Sequence, residues 1–145
     1  MQQPTKAQRG LKILSTINLV LGILALVSGL FITIGGTNLA FTSASGSSDE
    51  SLGAVGLILG IVIVLSGIAD IAGGILGRRA SADNTKVKPA YWFGYICLAF
   101  STFGLFDLFF EGNATPSNIV TAIVGLAFNF AYMVFVSQVK TEAGE

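Results

Sequence analysis

Four apolar runs divide the chain, at residues 11–34, 52–77, 91–110 and 118–136, with shorter polar stretches around them. Each run is about 20 residues or longer, the length an α-helix needs to cross about 30 Å of hydrocarbon. The pattern predicts an all-α fold, a four-helix transmembrane bundle that is antiparallel and up-down. A single integral membrane domain would then occupy residues 1–145.

The charges give that bundle a direction. Lys6, Arg9 and Lys12 precede the uninterrupted apolar stretch of the first run, Arg78, Arg79, Lys86 and Lys88 separate the second from the third, and Lys140 follows the fourth. The other two connections, 35–51 and 111–117, contain no Lys or Arg and carry Asp49, Glu50 and Glu111. Loops rich in Lys and Arg stay on the cytoplasmic side, so this alternation places both termini in the cytoplasm of a multi-pass plasma-membrane or inner-membrane protein. The basic face also suits anionic headgroups of the cytoplasmic leaflet.

Composition narrows the function. Hydrophobic residues make up 52% of the chain and charged residues 11%, against about 25% charged in a soluble domain. Mean hydropathy is +0.76, and formal net charge is zero. The zero net charge by itself argues nothing about nucleic acid, but four spans exclude a soluble enzyme and a nucleic-acid binder, leaving the lipid bilayer, a second copy or another membrane protein as partners. The basic start and the downstream Ala44-Ser45-Gly46 faintly resemble a secretion signal. The apolar stretch 13–34, with 22 residues, is too long for one and reads as a retained span.

The connections carry their own signals. The Gly/Ser/Thr-rich stretch 35–51 reads as a flexible external loop, and 78–90 as a cytoplasmic loop closed by Pro89 just ahead of the third helix. Thr115-Pro116 reads as the start of the fourth helix, a capping hydroxyl followed by proline at the first helical position. Asn113-Ala114-Thr115 matches a glycosylation sequon, which the following Pro116 and the short loop make a chance match.

The first two runs are internal copies. An offset of 38 places Leu19, Leu21, Gly22, Ile23, Ser28, Gly29, Gly35 and Gly36 on Leu57, Leu59, Gly60, Ile61, Ser66, Gly67, Gly73 and Gly74. The third and fourth runs lack the pattern and hold nine of the eleven Phe residues. Within the copies, Ser15, Gly22, Gly29 and Gly36 recur every seven residues, as do Gly53, Gly60, Gly67 and Gly74. A seven-residue repeat keeps one stripe facing a neighbouring helix. In lipid, small residues let backbones approach closely, so the two rows predict a helix-packing seam.

Polar residues inside the runs are the candidate sites. Asp70 lies eight residues before Arg78, about 12 Å inside the cytoplasmic boundary, with Asn18 about 9 Å in and Asn129 about 12 Å in from the same side. An intramembrane carboxylate is costly unless neutralised or paired, so this layer is either a structural clasp or a proton or cation site. The clasp reading has Asp70 bonded to Asn18 and Asn129, with Cys97 and Ser101 within reach. Asp107 and Glu111, four apart at the outer end of the third run, form an acidic pair, read as a solvated helix end or a weak external cation site. Tyr91, Trp92 and Tyr132 read as an interfacial belt.

Catalytic signals are missing. There is no His and one cysteine, Cys97, which reads as a packing residue; no P-loop and no metal-ligand spacing occurs. No cofactor is expected. The stretch from Leu19 to Leu24 with Ser28-Gly29, and Leu65 to Ile68 leading to Gly77-Arg78-Arg79, resembles the helix pairs of the acid-resistance (HdeD-like) family of small bacterial membrane proteins. That resemblance implies a bacterial inner-membrane protein with a stress-linked role and no known catalysis. It covers the first two runs and transfers no functional residue. The expected function is a non-enzymatic membrane protein acting through helix packing, self-association or a membrane partner; the alternative is a small proton- or cation-coupled transporter or channel subunit using Asp70.

Overall fold

In the computed structural model, which describes residues 4–43, 50–110 and 115–144, the chain is helical throughout its main segments. The helices are α1 (Lys6–Ser43), α2 (Glu50–Ala82), α3 (Val87–Phe110) and α4 (Pro116–Glu142), and a 3-10 turn, Asn84–Lys86, joins α2 to α3. Each contains a segment long and apolar enough to cross a membrane: Lys6–Asn38, Gly53–Ala82, Asn84–Phe106 and Pro116–Glu142. The surface suits lipid rather than water, with Phe100 73% exposed and Phe110 86% exposed. Four such helices are compatible with a small multi-pass integral membrane protein.

The helices outrun the apolar runs that predicted them. With 38 residues, α1 is about 57 Å long at 1.5 Å per residue, while the hydrocarbon needs about 30 Å. Its start is set by a reciprocal cap. The Gln8 amide N–H donates to Thr5 Oγ1 at 3.2 Å, and the Thr5 N–H donates to Gln8 Oε1 at 3.0 Å. This pairing satisfies two of the N–H groups that the first turn leaves without partners. At the other end α1 runs through Gly35 and Gly36 to Ser43, so most of the expected 35–51 loop is helical. Gly36 is buried there, and a Cβ built on it would lie 2.5 Å from the Leu57 backbone nitrogen of α2. Contact with α2 thus continues past the apolar run.

The expected loop 78–90 contracts to a corner. α2 continues to Ala82, and α3 begins at Val87, so Pro89 lies inside the first turn of α3 rather than ahead of it. First-turn N–H groups have no acceptor within the helix, so a proline nitrogen is tolerated there. Asp83 pins the corner. Its carboxylate accepts from the Thr85 hydroxyl at 2.7 Å and the Thr85 N–H at 3.1 Å, and pairs with Lys86 at 3.1 Å. The Thr85 hydroxyl, followed by Lys86 and the Thr85 N–H, holds the carboxyl below its ordinary pKa. At α4, Thr115 Oγ1 accepts the Asn118 N–H at 3.3 Å and Pro116 opens the helix.

The chain forms two compact units, one of Ile17–Gly74 and one that combines the residues up to Thr16 with Ile75–Glu145. In the first, α1 and α2 run antiparallel, because Leu26 meets Gly67, Thr33 meets Gly60 and Gly36 meets Leu57. In the second, the start of α1 and the end of α2 join α3 and α4 around a small dry core. Ala7, Leu11, Ala80, Val87, Ala90, Tyr132, Val136 and Val139 form it. Among the described residues the core sits at the ends that carry the basic residues, where four helical segments converge.

Candidate functional site

Within Ile17–Gly74 the glycines mark where two backbones come close. A Cβ on Gly22 would lie 2.7 Å from the Ile71 nitrogen and 2.8 Å from the Gly67 carbonyl oxygen; one on Gly67 would lie 2.8 Å from the Gly22 oxygen. Gly29 stands in the same way 2.8 Å from the Val64 nitrogen and 3.1 Å from the Gly60 oxygen. These neighbours are main-chain atoms, which cannot rotate aside as a side chain can. Gly53 and Gly74 are also buried. Gly35, beside Gly36, has nothing within 4 Å.

Asp70 and Asn18 lie on this pair, each half-buried. The Asp70 Cβ is 2.9 Å from where a Cβ on Gly22 would stand, so the absent side chain of Gly22 leaves the space that Asp70 fills. Among the described residues, neither Asp70 nor Asn18 makes a side-chain hydrogen bond, so the expected bond between them is not formed. Asn129 finds its partner elsewhere: its amide Nδ2 donates to Ser101 Oγ at 2.6 Å, tying α4 to α3. Of the acidic pair, Glu111 lies outside the described residues, and for Asp107 only the helical backbone is described. Among the described residues no three His, Cys, Asp or Glu side chains cluster as a metal site.

The second unit departs from expectation at one aromatic residue. Tyr132, expected in an interfacial belt, is 4% exposed. Glycines make its place: a Cβ on Gly77 would lie 2.9 Å from the Tyr132 hydroxyl oxygen and ring, and one on Gly94 would lie 3.2 Å from the ring. Ser15 Oγ also abuts Gly77, fully buried and without a hydrogen-bond partner. Tyr91 and the exposed Trp92 remain belt-like, edge to face at 6.3 Å, with Lys140 Nζ 4.1 Å above the Tyr91 ring.

Two of the cavities in this unit have polar linings. One, of ≈ 760 Å³, opens among Thr5, Gln8, Arg9, Lys12, Arg78, Asn84 and Glu142 at the converging helix ends. The Thr5 hydroxyl that caps α1 also donates to Glu142 Oε2 at 2.7 Å, linking the start of α1 to the end of α4 beside this cavity. The sequence Thr5-Lys6-Ala7-Gln8 carries the capping signature that would have located the helix start. Nothing local pointed to Glu142. The other cavity, ≈ 420 Å³, is a notch between α3 and α4 lined by small and polar residues including Ser101, Gly104, Thr121 and Gly125. A Cβ on Gly104 or Gly125 would meet nothing within 4 Å.

No family model matches this chain, and no curated protein or solved structure shows significant similarity to it. The geometry therefore carries the functional argument.

The neighbouring glycines of α1 give a direct test of the close approach. Gly36→Ala is expected to destabilise the protein by about 1–3 kcal/mol, because its Cβ would press on the Leu57 backbone. Gly35→Ala, with open space around it, should be neutral or stabilising by up to about 1 kcal/mol. Denaturant melts of both variants in one detergent would measure the difference, and equal losses would show that the approach at Gly36 has no energetic weight.

Proposed function

We propose that this is a small non-enzymatic integral membrane protein that acts by associating with a second copy of itself through the α3–α4 notch. The observation that carries the reading is the contrast between its glycines. Gly22, Gly29, Gly36, Gly60 and Gly67 lie against backbone within the chain, and so are unavailable to a partner, whereas Gly104 and Gly125 border open space. Lipid gives helices no hydrophobic drive to associate, and small residues beside hydroxyls favour close packing and interhelical bonds. Ser101, Thr121 and the two glycines supply both at one notch. The stress-linked role implied by the resemblance of the first two runs to the HdeD-like family is compatible with such an assembly.

Both termini are assigned to the cytoplasm of the plasma or inner membrane. The eight Lys and Arg residues, four in the terminal segments and four between the second and third runs, support this side. A second reading, ion coupling, has one observation in its favour: Asp70 is half-buried in a membrane-length helix and its side chain makes no hydrogen bond among the described residues. Acids so placed are functional candidates.

Three measurements separate these statements. Gly125→Leu should weaken self-association in bilayers at least about tenfold, measured by single-molecule photobleaching, and leave monomer stability within about 0.5 kcal/mol; a wild type that is monomeric at every protein density would sink the association reading. For orientation, reporter domains fused at Ser47 and Asp83 should report external and cytoplasmic locations respectively, and an external signal at Asp83 would reverse the assignment. Ion coupling predicts a proton or cation flux in reconstituted vesicles that Asp70→Asn abolishes while the protein stays folded. Vesicles with no flux under any imposed gradient would remove that reading.

A further inference from the structure

We propose that the cavity at the converging helix ends is a binding site for the phosphate of an anionic phospholipid, held by Arg9, Lys12 and Arg78. Three cations line this space of ≈ 760 Å³ against one carboxylate, Glu142, which already accepts a hydrogen bond from Thr5. Among the described residues none of the three cations forms an ion pair, whereas Lys86 pairs with Asp83. The cavity is therefore electropositive, with donors suited to phosphate: guanidinium forks that bond two oxygens at once, and an ammonium as a point charge.

Position identifies the phosphate as a lipid's rather than a free ion's. Lys12 immediately precedes the uninterrupted apolar stretch 13–34 and Arg78 immediately follows the second run, so the cavity lies at the level where hydrocarbon gives way to headgroups. Towards the hydrocarbon from each arginine, the same helix face presents an exposed isoleucine. Ile13 is four residues after Arg9 and 63% exposed, and Ile75 is three before Arg78 and 40% exposed. Residues three and four apart share a helix face. A headgroup seated on the cations would thus have apolar surface beneath it for its acyl chains, which a free anion does not need. The volume also exceeds what a bare phosphate fills and falls within the range of small-molecule pockets, roughly 300–1,000 Å³.

The test uses the full chain in dodecyl maltoside, titrated with dioleoylphosphatidylglycerol or dioleoylphosphatidylcholine and read by native mass spectrometry. Phosphatidylglycerol adducts should saturate at a small fixed number per protein, and phosphatidylcholine adducts should not. The triple variant Arg9→Gln, Lys12→Gln, Arg78→Gln should lose affinity for phosphatidylglycerol at least about tenfold, since it removes the charge-assisted bonds. A matched variant, Arg79→Gln, Lys86→Gln, Lys88→Gln, removes the same charge outside the cavity and should change affinity by less than about threefold. Arg78→Gln alone, which keeps two cations, should fall between them. Thermal melts check that each variant is folded. Equal loss in the two triple variants would overturn the site in favour of diffuse surface attraction. Inorganic phosphate alone raising the melting temperature as much as the lipid does, through the same three residues, would overturn the lipid assignment.

Discussion

Hydrocarbon offers no hydrogen-bond partner to a peptide group, and every other feature of this protein follows from that constraint. Each N–H and C=O within the membrane must be satisfied inside its own segment, which leaves α-helix as the form available to these four apolar runs. The difficulty then moves to the helix ends, where the first N–H groups and last C=O groups have no intrahelical partner. The chain answers it by carrying α1 outward to a reciprocal Thr5–Gln8 cap, by opening α4 with Thr115 and Pro116, and by folding the α2–α3 link around Asp83. Polar chemistry is displaced to the ends, and there an electropositive space opens among Arg9, Lys12 and Arg78.

Within the membrane, burying apolar surface gains nothing over lipid, so close contact has to come from shape. Two shapes are used. In Ile17–Gly74, glycines bring backbone against backbone, Gly22 beside Gly67 and Gly29 beside Gly60. At the converging ends, glycines instead receive aromatic rings: Gly10 takes Phe135, with ring carbons 2.5–2.8 Å from a Cβ position, and Gly77 and Gly94 flank Tyr132. The same residue thus serves two packing modes, one that closes the gap between helices and one that makes room for a large side chain.

That difference bears on function. A small residue occupied by its own chain is structural, and one facing open space is available to something else. Gly104 and Gly125 belong to the second kind, beside Ser101, whose hydroxyl already accepts the Asn129 amide. An internal bond of that sort fixes α3 against α4 and so holds the notch in one shape. At the helix ends the Thr5–Glu142 bond links the start of α1 to the end of α4 beside the cations.

Sequence alone determined the helical class, the four membrane-length segments and the small-residue rows, because each depends on local composition and period. The Thr115 start was equally local. What the apolar pattern understated was helix length: it measures the hydrocarbon, whereas α1 and α2 extend until a cap or a corner stops them. Partner choice was decided only in three dimensions. Asn129 bonds Ser101 rather than Asp70, Tyr132 enters a core because Gly77 and Gly94 lie on either side of it, and Glu142 meets Thr5 across 137 residues of chain. Spacing along one helix fixes which face a residue occupies. It leaves open which neighbour that face meets, and for these residues the neighbour sets the role.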